Sequence, residues 1–158
     1  MIFLTVGTQF PFDRLVKAVN KAASQNGFKE KIFAQVGCNS YQPQNFEAIS
    51  LLEKDIFDKY IHEASCIISH AGMGTIAMAL EHKKPLLVMP RFKKYGEAVN
   101  DHQISIAKKF EELGHVLVAN TEDELAEKIE QLKSFVPQPR KAQTKAVIDR
   151  ISKFLNEL

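Results

Sequence analysis

Cys66-Ile67-Ile68-Ser69-His70-Ala71-Gly72-Met73-Gly74-Thr75 is the stretch on which the fold turns. A short apolar run ends in a small turn with two glycines, and a segment with helical spacing follows at once, from Gly74 to about Lys83. A strand that stops directly at a helix start leaves several backbone N–H groups without partners. Those groups and the positive end of the helix dipole form an anion site, most often for phosphate. Gly72 and Gly74 let the backbone approach a ligand with no Cβ in the way. His70 and Thr75 add side-chain donors at the same place. A turn whose glycines serve only tight geometry is the alternative, and glycine spacing by itself does not separate the two.

Upstream of the turn, residues 2–6 read as a buried strand closed by Gly7 and Thr8. Phe12, Leu15, Val16, Val19, Ala22 and Ala23 then recur at helical spacing, with Gly27 as the stop. Residues 31–36, closed by Gly37, and residues 48–52 are further strands, and Asp55 is the predicted cap of a helix whose apolar face is Ile56, Tyr60 and Ala64. The helix after the turn is expected to bury Ile76, Ala77, Met78 and Leu80. Downstream, Pro85 precedes a strand at residues 86–89, and the polar residues 91–97 read as an exposed loop without a pattern. Asn100 or Asp101 can cap a helix carrying Ile104, Ala107 and Phe110, stopped at Gly114. Residues 116–118 are a strand, and Thr121 with Glu124 has capping-box spacing for a helix with Leu125, Ile129 and Leu132. Beyond Pro137 and Pro139, Val147, Ile148, Ile151, Phe154, Leu155 and Leu158 form one apolar stripe.

About six short strands alternating with helices predict an α/β, Rossmann-like, doubly wound parallel sheet. The chain reads as a single domain over residues 1–158, with residues 141–158 a C-terminal helix that is a candidate for docking on a partner; packing on its own domain is the alternative. In such sheets ligands bind beyond the carboxyl ends of the strands, near the switch in strand order. Gly7, Thr8, Gly37, the turn at residues 69–75 and the loop after Pro90 therefore fall along one edge. That clustering favours the phosphate reading.

Bulk properties narrow the class. With 158 residues, 45% hydrophobic and 25% charged, the sequence suits a soluble globular domain. The net charge is +2 and the lysines are spread along helices without an aromatic-interleaved basic patch, so no nucleic-acid partner is expected. Cys38 and Cys66 form neither a metal quartet nor a redox pair, and Cys66 reads as a buried small hydrophobe. The first residues lack a signal-peptide pattern, and no apolar run approaches the roughly 20 residues needed to span a bilayer. A cytoplasmic location is the expectation. There is no Walker loop, dinucleotide fingerprint, nucleophile elbow, metal-ligand spacing or acidic D-x-D pair. No metal and no cofactor are expected, and phosphates would be held by backbone N–H groups, a helix N-terminus and neutral or cationic side chains.

Five segments occur in a characteristic order: Thr5-Val6-Gly7-Thr8; Ile68-Ser69-His70-Ala71-Gly72-Met73-Gly74-Thr75; Lys84-Pro85-Leu86; Pro90-Arg91-Phe92-Lys93-Lys94-Tyr95-Gly96-Glu97; and Asn100-Asp101-His102-Gln103. Over about residues 1–130 this resembles the C-terminal, donor-binding domain of family 28 glycosyltransferases. It is most similar to the free-standing form found in two-component enzymes, in dolichol-linked oligosaccharide synthesis and in bacterial capsule and exopolysaccharide synthesis. The resemblance implies one half of a GT-B fold that binds a UDP-sugar. A separate membrane-anchored, acceptor-binding glycosyltransferase subunit would supply the other half, hold the lipid-linked or growing polysaccharide acceptor, and keep this chain at the inner face of the membrane. The half alone would be inactive or nearly so.

Position by position, the resemblance implies that Gly7 and Thr8 line the cleft near the diphosphate, and that His70, Gly72, Gly74 and Thr75 hold the phosphates. His70 would be the catalytic residue, acting on the charge of the leaving diphosphate, with the general base expected on the partner. Asn100, Asp101, His102 and Gln103 would face the donor sugar, and Glu97, Arg91 and Lys94 would reach the sugar or the partner. Read without the resemblance, Asn100 and Asp101 are helix caps, His102 is a solvated helix residue, and Arg91 and Lys94 are ordinary surface charges. One position departs from the pattern: Met78 stands where relatives often carry a glutamate for the ribose hydroxyls, and Glu81 is three residues away. That departure keeps a second reading in play, a non-catalytic accessory subunit that stabilises or activates a partner transferase.

Overall fold

Strand residues alternate between two apolar layers, and this alternation builds the domain. In β1 (Ile2–Thr5) Ile2 and Leu4 join one core cluster and Phe3 the other. β4 (Cys66–His70) repeats the split with Cys66 and Ile68 against Ile67. β5 (Leu86–Met89) divides Leu87 and Met89 from Leu86 and Val88. Both faces are thus covered, as a parallel sheet requires. The remaining strands are β2 (Ile32–Gln35), β3 (Glu47–Ile49) and β6 (Leu117–Val118). All neighbours pair in parallel in the order β3-β2-β1-β4-β5-β6. In this computed structural model, which describes residues 1–26, 30–140 and 144–157, that is the Rossmann-like doubly wound sheet expected from the sequence.

Helices α1 (Asp13–Asn26) and α5 (Glu122–Leu132) cover the first face, burying Leu15, Val16 and Val19 against Leu125, Ile129 and Leu132. Helices α2 (Lys54–Glu63), α3 (Met73–Glu81) and α4 (His102–Glu112) cover the second. There Phe3, Phe33, Phe57 and Tyr60 interlock, with Phe33 and Tyr60 stacked at 4.4 Å and Phe3 meeting Phe57 edge-on at 5.4 Å. Cys66 is buried as expected, and burial pushes its thiol up to about 11. The capping reading of Thr121 holds, since its hydroxyl accepts from Glu124 N and the Glu124 carboxylate accepts from Asn120 N.

Several expectations need correction. α2 starts at Lys54, so Asp55 lies in its first turn and does not cap it; the inward face rotates to Phe57, Tyr60 and Ile61 and leaves Ile56 exposed. In α3 the buried residues are Thr75, Ile76 and Ala79, with Ala77, Met78 and Leu80 only half-buried. The helix ends through Lys83, which adopts a left-handed φ of 52° and so turns the chain towards Pro85. Residues 91–97 are not a patternless exposed loop: Arg91 and Glu97 are buried and flank a 3₁₀ turn, Lys93–Tyr95. The stop expected at Gly27 lies outside the described residues.

The apolar stripe of α6 (Thr144–Asn156) is not packed on its own domain where its side chains are described. Ile148, Ile151, Phe154 and Leu155 are between 54% and 62% exposed; the side chain of Val147, and Leu158, lie outside the described residues. Among the described residues no helix is long and apolar enough to cross a membrane.

Candidate functional site

β1 has β2 on one side and β4 on the other, so the connections leaving β1 and β4 run in opposite directions and open a crevice at their carboxyl ends. Both are glycine turns. The loop after β1 carries Gly7, with a left-handed φ of 75°, and Thr8; the turn after β4 carries His70, Gly72 and Gly74. Gly72 occupies the N-cap position of α3 and offers no capping side chain, which leaves the first-turn N–H groups open at that end.

A cavity of about 400 Å³ fills the crevice. The β1 loop contributes Gly7, Thr8, Gln9 and Phe10, the turn His70, Gly72, Met73 and Gly74, and the far wall Arg91, Ala98, Val99, His102 and Gln103. Eight of the residues named from the sequence therefore meet in one cleft: Gly7, Thr8, His70, Gly72, Gly74, Arg91, His102 and Gln103. Thr75 faces instead a neighbouring cavity of about 250 Å³, which shares Gly7 and Thr8 with the cleft and is otherwise lined by Thr5, Gln35, Leu51, Leu52, Lys54 and Phe57. The loop at Gly7 and Thr8 thus forms a ridge between two adjoining spaces. Leu51, Leu52, Lys54 and Phe57 carried no sequence signal, because the connection from β3 to α2 reaches the ridge only through the sheet order.

His70 is fixed by its neighbour. Ser69 Oγ is buried and donates to Thr5 O at 2.7 Å across the β1–β4 pairing, and His70 Nδ1 lies 3.1 Å from that same Oγ. The imidazole packs against glycine: a Cβ added at Gly72 would overlap Nε2, and one at Gly7 would come within 2.9 Å of Cε1. Glycine is therefore required at both positions by the ring as much as by any ligand. Burial and the positive charge of Arg91 pull His70 down to about 4, only partly opposed by the Thr5 carbonyl.

The other expected site residues are held in internal contacts. Asn100 Oδ1 accepts from His102 N at 3.1 Å and bonds His102 Nδ1, orienting the ring. Asp101 sits at the N-cap of α4, yet its carboxylate accepts from Lys93 N at 2.7 Å. Gln103 is 7% exposed, and its Oε1 accepts from Arg91 N. Glu97 receives a bidentate pair from Arg14, at 2.8 and 3.0 Å, and accepts from Phe92 N. It borders a third cavity, of about 590 Å³, with Arg14, Lys17 and Tyr95.

Arg91 corrects the sequence reading most. Expected as a surface charge, it is 3% exposed and donates to the carbonyls of Val6, Phe10, Pro11 and Glu97. It stacks over Phe12 at 4.7 Å, and burial lowers its guanidinium to about 10. Those bonds tie the loop after β1 to the loop after β5 and set the width of the cleft. The signals for Arg91 in the sequence were its place in the segment from Pro90 to Glu97 that carries the family resemblance and its position just beyond the carboxyl end of β5.

Residues 1–158 match the glycosyltransferase family 28 C-terminal domain. The chain is 32% identical over 124 residues to the human UDP-N-acetylglucosamine transferase subunit ALG13, covering 73% of this chain but only 10% of that protein. The chain therefore spans about a tenth of the length of this curated relative. An NMR solution structure of ALG13 superposes with a TM-score of 0.61 at 23% identity, over 95% of this chain and 93% of that one. Acinetobacter baumannii MurG gives a TM-score of 0.65 at 23% identity over 96% of this chain and 49% of MurG. The fold is that of one half of a GT-B protein, and the chain belongs to the family 28 glycosyltransferase C-terminal domains.

Proposed function

We propose that this member of the family 28 C-terminal domains is the donor-binding part of a two-component glycosyltransferase. It seats the diphosphate of a UDP-sugar on the ridge formed by Gly7 and Thr8 and against the turn at His70, Gly72 and Gly74. The observation that carries this reading is the convergence of two glycine turns and the uncapped start of α3 at the one crevice where the strand order reverses. Phosphate oxygens need close, uncrowded N–H donors, and the glycines supply them. The 250 Å³ space beside Thr75 would receive the nucleoside, and the 400 Å³ cleft towards His102 and Gln103 the sugar. Relatives in sequence from human and mouse are named as UDP-N-acetylglucosamine transferase subunits, which supports a UDP-sugar.

Transfer follows from where charge develops. As the bond between the anomeric carbon and the diphosphate oxygen breaks, negative charge grows on the leaving diphosphate. N–H donors already aimed there bind the transition state more tightly than the ground state, and losing one such donor typically costs about 10²–10³ in rate. The acceptor hydroxyl and its general base would come from a membrane-anchored partner subunit. The exposed apolar face of α6 suits docking on that partner, because nothing in its own domain covers it where it is described. Asp101 and Asn100 support the sugar-side wall rather than touching the sugar.

Amide spectra of the chain titrated with UDP test the proposal. Shifts centred on Gly7, Gly72 and Gly74 are expected, and an unperturbed turn at millimolar UDP would overturn it. Replacing Ile151 and Phe154 with glutamate should abolish pairing with the partner while leaving the fold unchanged. The accessory-subunit reading keeps one observation in its favour: Met78 is half-buried against the apolar layer, and the carboxylate of α3, Glu81, stands three residues beyond the position expected to meet a ribose. Calorimetry on the reconstituted pair decides between them, since an accessory subunit would leave UDP-sugar affinity unchanged when Gly72 is altered.

A further inference from the structure

We infer that His70 takes up a proton from solvent as a nucleoside diphosphate enters the cleft, turning from a hydrogen-bond acceptor into the charged donor that grips the diphosphate. This rests on the phosphate reading above and specifies how its one titratable side chain works.

The hydrogen-bond chain sets the starting state. A serine hydroxyl has one proton, and that of Ser69 goes to Thr5 O, an acceptor with no proton of its own to give. Ser69 Oγ can then only accept from His70 Nδ1, which must carry the ring's proton. In the neutral ring Nε2 is a bare lone pair. It lies on the side of Gly72, whose missing side chain leaves it uncovered, and His70 lines the cleft.

A diphosphate offers only acceptor oxygens and at least two negative charges. A lone pair facing them is repulsive; an N–H⁺ there is a charge-assisted donor. The groups facing His70 explain why it waits neutral. Arg91, from the loop after β5, opposes a second cation, although Glu97 beside it is neutralised by Arg14. His102 enters the same cleft from α4 with its Nδ1 turned to Asn100. The β1 loop and the first turn of α3 present only uncharged Gly7, Thr8, Gln9, Met73 and Gly74. Burial and Arg91 hold the ring near 4, so the incoming anion must supply the field that protonates it. The proton then stays on Nε2 against the diphosphate as charge builds on the leaving group.

Linkage gives the sign. If the ring's pKa is raised in the complex, affinity falls as pH rises through the raised value, by up to about tenfold per pH unit. The test uses the full chain. Long-range ¹⁵N–¹H spectra at pH 7 should show His70 neutral with its proton on Nδ1, and as imidazolium after UDP-N-acetylglucosamine is added. That probe has a diphosphate that does not itself titrate near neutrality. Calorimetry in two buffers of different ionisation enthalpy should report uptake of about half to one proton, lost in His70→Asn. Binding with His70 still neutral, or uptake that survives His70→Asn, overturns the inference and leaves the phosphate site standing. If neither this probe nor UDP moves the turn amides at millimolar concentration, both fall together.

Discussion

The two walls of the cleft use their polar groups in opposite ways. Along the β4 turn, Gly72 caps nothing with a side chain and the Nε2 side of His70 is bordered by glycine. Along the loop from Arg91 to Glu97, the two buried charges are consumed within the chain: Arg91 by four carbonyls, Glu97 by Arg14 and Phe92 N. A wall that has spent its hydrogen bonds is rigid and inert; one that keeps them open can bind. The charged loop is thus the frame and the glycine turn the site.

Arg91→Ala is the most damaging way to probe that contrast. Each buried carbonyl left without a donor costs about 1–3 kcal/mol, so a loss of at least about 3 kcal/mol in urea denaturation is expected. A loss below 1 kcal/mol would show that the frame is not needed. Glu97→Gln keeps the shape but removes the charge facing Arg14, and should lower stability by about 1–3 kcal/mol while nucleotide affinity stays within about threefold. A tenfold loss of affinity at unchanged stability would instead return Glu97 to the list of ligand contacts.

Gly72→Ala attacks the other wall. Its Cβ would displace the imidazole, so UDP affinity should drop about tenfold or more, about 1.4 kcal/mol, with a stability change near 1 kcal/mol. Equal affinity for the variant and the natural chain would remove His70 from the site. The last effect is on pH-dependent stability. The folded value of His70, about 4, lies below its ordinary 6.5, so the folded chain binds fewer protons than the unfolded chain between those values. Stability from this residue is complete above 6.5 and declines as pH falls towards 4. A fall in melting temperature as pH drops over that range should be absent in His70→Asn.

Much of this was legible in the residues. The short apolar runs of the strands, the strand-to-helix glycine turn and the capping pair at Thr121 and Glu124 all act within a few neighbours, and all read correctly. The strand order was not spelled out locally, but short strands separated by helices left little else than a parallel sheet. Misreadings cluster where a helix start shifted by two residues, as at Asp55, and where a charge met a distant partner. Asn100 and Asp101 show the difference: their residue types suit both caps and sugar contacts, and only coordinates reveal one bonding His102 and the other Lys93.

The sequence by itself determined the α/β sheet, the edge on which its turns gather and the turn at residues 69–75 as the anion-binding candidate, because backbone preferences and burial periods are local. Tertiary structure alone decided which charges remain available and which groups surround the ring nitrogens of His70. Arg14 meets Glu97 across 83 residues and Arg91 meets Val6 across 85, and Ser69 reaches Thr5 across 64. Such pairings depend on where separate loops come to rest, and a charge or a lone pair has no function until its neighbours in space are known.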